Sequence, residues 1–87
     1  MAIYVDNLQP VLSGKLRRFG EVCHMMADSD CELDVFVQKK LGMSHNWKHE
    51  DHFDLSPAMR AKAIVLGAIE IDARYLVDLR KRLRKGI

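Results

Sequence analysis

Short apolar, β-prone runs alternate along this chain with helical stretches that carry their own start and stop signals. In 87 residues that alternation admits few folds. Ile3-Tyr4-Val5 reads as a first strand, closed by the turn residues Asp6-Asn7. Glu21 to Ala27 reads as a second. Strict alternation puts Val22, His24, Met26 and Asp28 on one of its faces and Cys23, Met25 and Ala27 on the other. Both faces are largely apolar, so this strand is expected inside the sheet with cover on each side. Ser29-Asp30-Cys31-Glu32 has the spacing of a capping box, in which the Ser29 hydroxyl and the Glu32 carboxylate satisfy amides at a helix start. Leu33, Phe36, Val37 and Leu41 follow at helical spacing, and Gly42 supplies a left-handed stop, which predicts a helix over 30–41.

His52-Phe53-Asp54-Leu55 predicts a third strand, and Ser56-Pro57 places an N-cap residue before proline at the first helical position. The helix that follows, to Gly67, is apolar around much of its girth and is expected to be well buried. Ala68-Ile69-Glu70-Ile71 predicts a fourth strand. Asp72 then caps a basic C-terminal helix, 72–86, with Tyr75, Leu76, Leu79 and Leu83 in one stripe. Residues 8–20, where Pro10, Gly14 and Gly20 interrupt the pattern, are expected to form an irregular loop. Residues 1–87 thus read as a single α/β domain, a small mostly parallel sheet of three to four strands with three helices. In such sheets the functional crevice lies beyond the carboxyl ends of the strands, where Asp6, Asp28 and Asp54 all stand.

Composition narrows the setting. A chain this short buries only about 60–65% of its unfolded surface, so few apolar positions can be spared for function. No apolar run approaches the roughly 18–20 residues that span a bilayer. The start, Met1-Ala2-Ile3-Tyr4-Val5-Asp6, lacks the basic and apolar regions of a secretory signal, and a cytoplasmic protein is expected. Cys23 and Cys31 are expected to be reduced, small apolar residues rather than a bridge. The net charge of +2 does not by itself imply nucleic acid. Arg80, Lys81, Arg82 and Arg84 crowd the last helix, where they complement its dipole or offer contacts to a nucleic acid or phosphorylated ligand.

The residues able to carry chemistry are few. His52 and Asp54 are two apart on one strand, and His24 shares a face with Asp28 on another, so neighbouring strands would converge two imidazoles and two carboxylates. Asp6 would enter from the first strand, and Arg60 would supply a cation for phosphate or carboxylate. His24, Asp28, His52 and Asp54 are candidate ligands for a divalent metal that activates water. His24, His52 and Asp54 are equally the candidates for metal-free acid–base catalysis, with a His held by an Asp. In the structural alternative these groups only cap helices and satisfy one another. A zinc site through Cys23, Cys31, His49 and His52 does not match zinc-finger spacing. Trp47, the single tryptophan, would either close the core edge or stack on a ligand.

Taken in order, Tyr4-Val5-Asp6, Cys23-His24-Met25-Met26-Ala27-Asp28, Glu32-Leu33, Trp47, His52-Phe53-Asp54, Arg60-Ala61 and Gly67-Ala68 resemble a family of short bacterial and bacteriophage proteins, a domain of unknown function. Its pattern runs Tyr-Val-Asp, His-x-x-Ala-Asp, Glu-Leu, Trp, His-Tyr-Asp, Arg-Ala and Gly-Ala. The resemblance reaches residue 71 and leaves the basic helix outside. Phe53 stands where the family has tyrosine, which removes a hydroxyl. The resemblance implies a bacterial or phage-infected cytoplasm and groups His24, Asp28, His52, Asp54 and Arg60, but supplies no reaction. Two functions are therefore expected to compete. One is an accessory protein whose His/Asp/Arg pocket binds a phosphorylated or nucleic-acid ligand with a divalent metal. The other is a non-enzymatic protein–protein interaction factor, such as a phage modulator of a host protein.

Overall fold

The computed structural model describes residues 2–12, 14–44, 48–49 and 51–85. Its strands are β1 (Ile3–Val5), β2 (Gln9–Pro10), β3 (Glu21–Ala27), β4 (Lys48–His49), β5 (His52–Leu55) and β6 (Ile69–Glu70). Its helices are α1 (Asp30–Val35), α2 (Pro57–Val65) and α3 (Ala73–Lys85), with a short 3-10 helix at Lys15–Phe19. Beyond α1 the chain continues in wider, π-type turns over Phe36–Leu41 and stops at Gly42, whose φ of 70° is left-handed. Trp47 lies outside the described residues.

The sheet is mixed rather than mostly parallel, and it has more strands than the three to four expected. Its order is β4-β5-β3-β1-β6, with β2 paired to β3 beside this path. β3 runs antiparallel to both β1 and β5, and only β1 with β6 is a parallel pair among the described residues. The cause lies in residues 8–20. A parallel neighbour needs a crossover, usually helical, to carry the chain back to the same end of the sheet. This stretch instead continues beside β3 as β2 and turns through the 3-10 helix, so β3 returns antiparallel. It is therefore less irregular than its composition suggests.

β3 is covered on both faces, as its apolar residues require. Cys23, Met25 and Ala27 pack with Val5, Phe53 and Leu55 under Leu33, Phe36, Val37 and Leu41 of the first helical segment and Ala63 of α2. Met26, on the other face, packs with Leu76 and Leu79 of α3. The local signals work as their chemistry dictates. Ser29 Oγ accepts the Glu32 N–H at 3.2 Å, Ser56 Oγ that of Met59 at 3.3 Å, and Asp72 Oδ1 that of Tyr75 at 2.8 Å. α2 is less buried than its composition predicts, because the sheet covers only one side; Val65 is 85% exposed.

Phe53 has no exposed surface and fills the centre of the larger cluster. Phe53→Ala is expected to cost about 3–5 kcal/mol in urea unfolding, through lost burial and the cavity left behind. Val65→Ala should stay within about 0.5 kcal/mol.

Candidate functional site

The site begins with an irregularity in the sheet. Val5 pairs with Met25 and Gln9 with Val22, so three residues, Asp6 to Leu8, face two, Cys23 and His24. This extra residue is a β-bulge, a device that re-aims side chains. At the bulge the Asp6 N–H donates to the His24 carbonyl at 3.2 Å, as a ladder would have it. The His24 N–H, however, donates to the Asp6 side chain, reaching Oδ1 at 2.6 Å. The Asp6 carbonyl, displaced from the ladder, accepts from Arg60 Nε at 2.9 Å. Asp6 is fully buried.

Its second oxygen fixes an imidazole. Asp6 Oδ2 lies 2.8 Å from His24 Nδ1. A carboxylate only accepts, so the proton sits on Nδ1 and the neutral ring carries its lone pair at Nε2. The hydrogen bond that His24 donates to Asp6 raises the His24 pKa above its usual 6.5, and it outweighs burial, which alone would lower it.

A second imidazole is held in the same way. His52 Nδ1 lies 3.1 Å from Asp51 Oδ1, and Asp51 Oδ2 accepts from Arg80 Nε at 3.0 Å. Burial opposes the Asp51 charge, but the hydrogen bonds from His52 and Arg80 prevail and leave its pKa below the usual 3.8. The β3–β5 register sets His24 opposite Asp54, and two-residue alternation puts His52 on the same face. His24 Nε2 stands 3.9 Å and His52 Nε2 3.6 Å from Asp54 Oδ1, and the rings meet edge to face at 5.2 Å between centroids. One donor atom from each of His24, His52 and Asp54 lies within 4.8 Å of the others. Tetrahedral ligands around an ion at about 2.0–2.2 Å stand roughly 3.3–3.6 Å apart, so closing on an ion requires the donors to approach by up to about 1–1.5 Å through side-chain rotation.

The other candidates are placed elsewhere. Asp28 leaves the opposite end of β3, because antiparallel pairing sends the carboxyl ends of β1 and β3 in opposite directions. Its N–H donates to the Ala2 carbonyl, and its carboxylate accepts from the Tyr4 hydroxyl at 3.1 Å. Arg60 meets the site at the Asp6 carbonyl, its Nη2 lies 3.1 Å from Glu70 Oε1, and its guanidinium also acts on the Cys23 thiol. Its side chain is 16% exposed. Cys23 is fully buried, and burial pushes its thiol up to about 12. Of the basic helix, Arg80 braces Asp51, Arg82 lies 5.7 Å above the Tyr75 ring, and Lys81 is exposed. The side chain of Arg84 is outside the described set.

Asp51 and Arg80 act together here, a pairing that no spacing discloses. Residue 51 precedes the strand at a turn, and Arg80 arrives 29 positions later on a packed helix. The one local signal for Asp51 is a carboxylate directly beside a histidine.

Residues 3–83 match the family described as "Protein of unknown function (DUF4031)". The match takes in most of α3, which the resemblance in the sequence had left outside, and α3 carries Arg80. No curated protein and no solved structure matches the chain.

Because His24 is stabilised in its charged form by the folded state, its contribution to stability is fully present below pH 6.5. It is lost as pH rises through the higher folded value. Asp6→Asn should lower the His24 pKa, read from its ring proton by NMR titration. It should also cost about 1–3 kcal/mol in unfolding free energy, since a buried partner is lost. The loss should be larger at pH 6 than at pH 9; an unshifted His24 titration would contradict the assignment.

Proposed function

The chain belongs to this family of unknown function, and from that premise we propose that it binds a divalent transition metal through His24, His52 and Asp54, and on it a phosphorylated ligand. The observation that carries the reading is the convergence of two imidazoles and a carboxylate, each imidazole backed by a carboxylate of its own. Such outer carboxylates fix the tautomer and raise the basicity of metal-binding histidines. Two imidazoles with one carboxylate suit zinc or ferrous iron better than magnesium or calcium. Three protein donors are also the complement used by sites that keep a position for water or substrate.

A metal held there would lower the pKa of a bound water or polarise a phosphoryl oxygen. The chain's own contribution is positioning. The donors stand on paired strands, their rings are locked by Asp6 and Asp51, and Arg60 and Arg80 in turn hold those aspartates. Arg80 also acts electrostatically on His24, and its guanidinium has further N–H groups beside the one given to Asp51, suited to an anionic oxygen. The proposed setting is the reducing cytoplasm of a bacterium or phage-infected bacterium, which suits the free thiols of Cys23 and Cys31. No helix among the described residues is long and apolar enough to cross a membrane.

Calorimetric titration of metal-stripped protein with Zn²⁺ is expected to show one ion per chain. Affinity should fall at least about 100-fold in a His24→Ala/His52→Ala double variant and about 10–100-fold in Asp51→Asn, which touches only the outer shell. It should rise with pH above 6.5, as His24 gives up its proton. Inorganic phosphate should bind only the zinc-loaded protein, and more weakly after Arg80→Gln. Zinc binding that survives the double variant unchanged would refute the site.

A further inference from the structure

The stretch between β2 and β3 takes no part in the centre described above, yet it projects from the end of the sheet at which β1 gives way to Asp6. It is an ordered arm. The Val11 N–H donates to the Gly20 carbonyl at 2.9 Å, the Arg17 N–H to that of Gly14 at 3.2 Å, and the Gly20 N–H to that of Arg17 at 3.0 Å. Its surface is basic and apolar together. Arg17, Arg18 and Leu12 are exposed, and the Arg18 guanidinium lies 4.9 Å from the centre of the Phe19 ring. Among the described residues no acidic side chain pairs with either arginine.

Strand register fixes where the arm stands relative to the metal ligands. β3 begins at Glu21, directly after the arm, and alternation puts Val22 and His24 on one face. On β5, Leu55 lies opposite Cys23, Asp54 opposite His24 and Phe53 opposite Met25, so His52 and Asp51 follow on the side away from the arm. Asp51 in turn holds Arg80. His24 and Asp54 therefore stand between the arginines of the arm and that of α3. At about 3.3 Å per strand residue, Gly20 is roughly 13 Å from His24. No single phosphate group spans that interval, whereas a chain of phosphates does.

We propose that the arm binds single-stranded nucleic acid and leads it across the metal centre. Arg17 and Arg18 hold backbone phosphates, whose oxygens suit the guanidinium fork. Phe19 and the guanidinium stacked on it form a platform for a base, since bases stack on aromatic rings and on guanidinium planes alike. A base paired within a duplex does not present its face in this way, so the ligand is a single strand. Held by its own hydrogen bonds, the arm loses little conformational freedom on binding. The strand continues over His24 and Asp54 toward Arg80 and offers one of its phosphates to the metal. That last contact rests on the proposed metal site; the affinity of the arm does not.

The probe is a fluorescein-labelled, twelve-nucleotide oligothymidylate, titrated with the full-length chain and read by anisotropy. Metal-stripped protein is expected to bind it, with log affinity falling linearly as log salt rises. Arg17→Gln/Arg18→Gln should weaken binding at least tenfold and flatten that slope by about 1.4, since each single-strand phosphate contact contributes about 0.7. Phe19→Ala should weaken it about 5–100-fold and leave the slope unchanged. Both variants should keep the zinc affinity of the unmodified protein in calorimetry. Zinc should tighten oligonucleotide binding in the unmodified protein but not in His24→Ala/His52→Ala. Binding that needs Arg17 and Arg18 upholds the arm even where zinc fails to bind, whereas zinc binding with the oligonucleotide left free overturns it. Binding indifferent to Arg17→Gln/Arg18→Gln, equal affinity for the corresponding duplex, or capture by phosphatidylglycerol vesicles without oligonucleotide binding would each overturn it as well.

Discussion

A buried carboxylate takes the place of a backbone carbonyl in the sheet, and much of the rest is arranged around that substitution. Asp6 accepts the His24 amide that a regular ladder would have given to its own main chain, and with its other oxygen it holds the His24 ring. An uncompensated charge at such a depth would be expensive, so donors must surround it. They come from β3 through His24 and, at the displaced carbonyl, from α2 through Arg60, which is itself anchored to Glu70 beside the parallel β1–β6 pair. One bulge thereby ties together both edges of β1 and the helix above it, and it aims an imidazole at the neighbouring strand.

The far side of the site repeats the logic with different parts. His52 is held by Asp51 and Asp51 by Arg80, so the docking of α3 through Leu76 and Leu79 is coupled to the orientation of a ring on β5. The basic helix is in this respect structural. Among its described charges, Arg80 gives its Nε–H to an aspartate and Arg82 lies exposed over an aromatic face. Two Arg–Asp–His chains meeting at Asp54 give the centre a rigidity that loop-borne residues would lack.

Local chemistry was legible where neighbours in the chain decide it. Strand alternation placed His52 with Asp54, the caps at Ser29, Ser56 and Asp72 fell where short-range hydrogen bonding demands, and β3 showed its central position through two apolar faces. The convergence of His24 with His52 and Asp54 could be anticipated as a possibility, conditional on their strands being neighbours. Asp28 could not be separated from that group, because it sits at a predicted strand end and only the strand directions decide which end of the sheet that is.

Periodicity, capping and turn residues therefore determined on their own the strands β1, β3, β5 and β6, the three helices and which side chains share a face, but not β2, β4 or the 3-10 helix. Strand direction, the bulge at Asp6 and the pairing of Asp51 with Arg80 were decided only in the folded chain. Each depends on contacts between residues distant in sequence, where no local energy term favours one partner over another. The antiparallel return of β3 is the decisive case: it brings His24 beside Asp54 and carries Asp28 away, although both lie on the same face of the same strand.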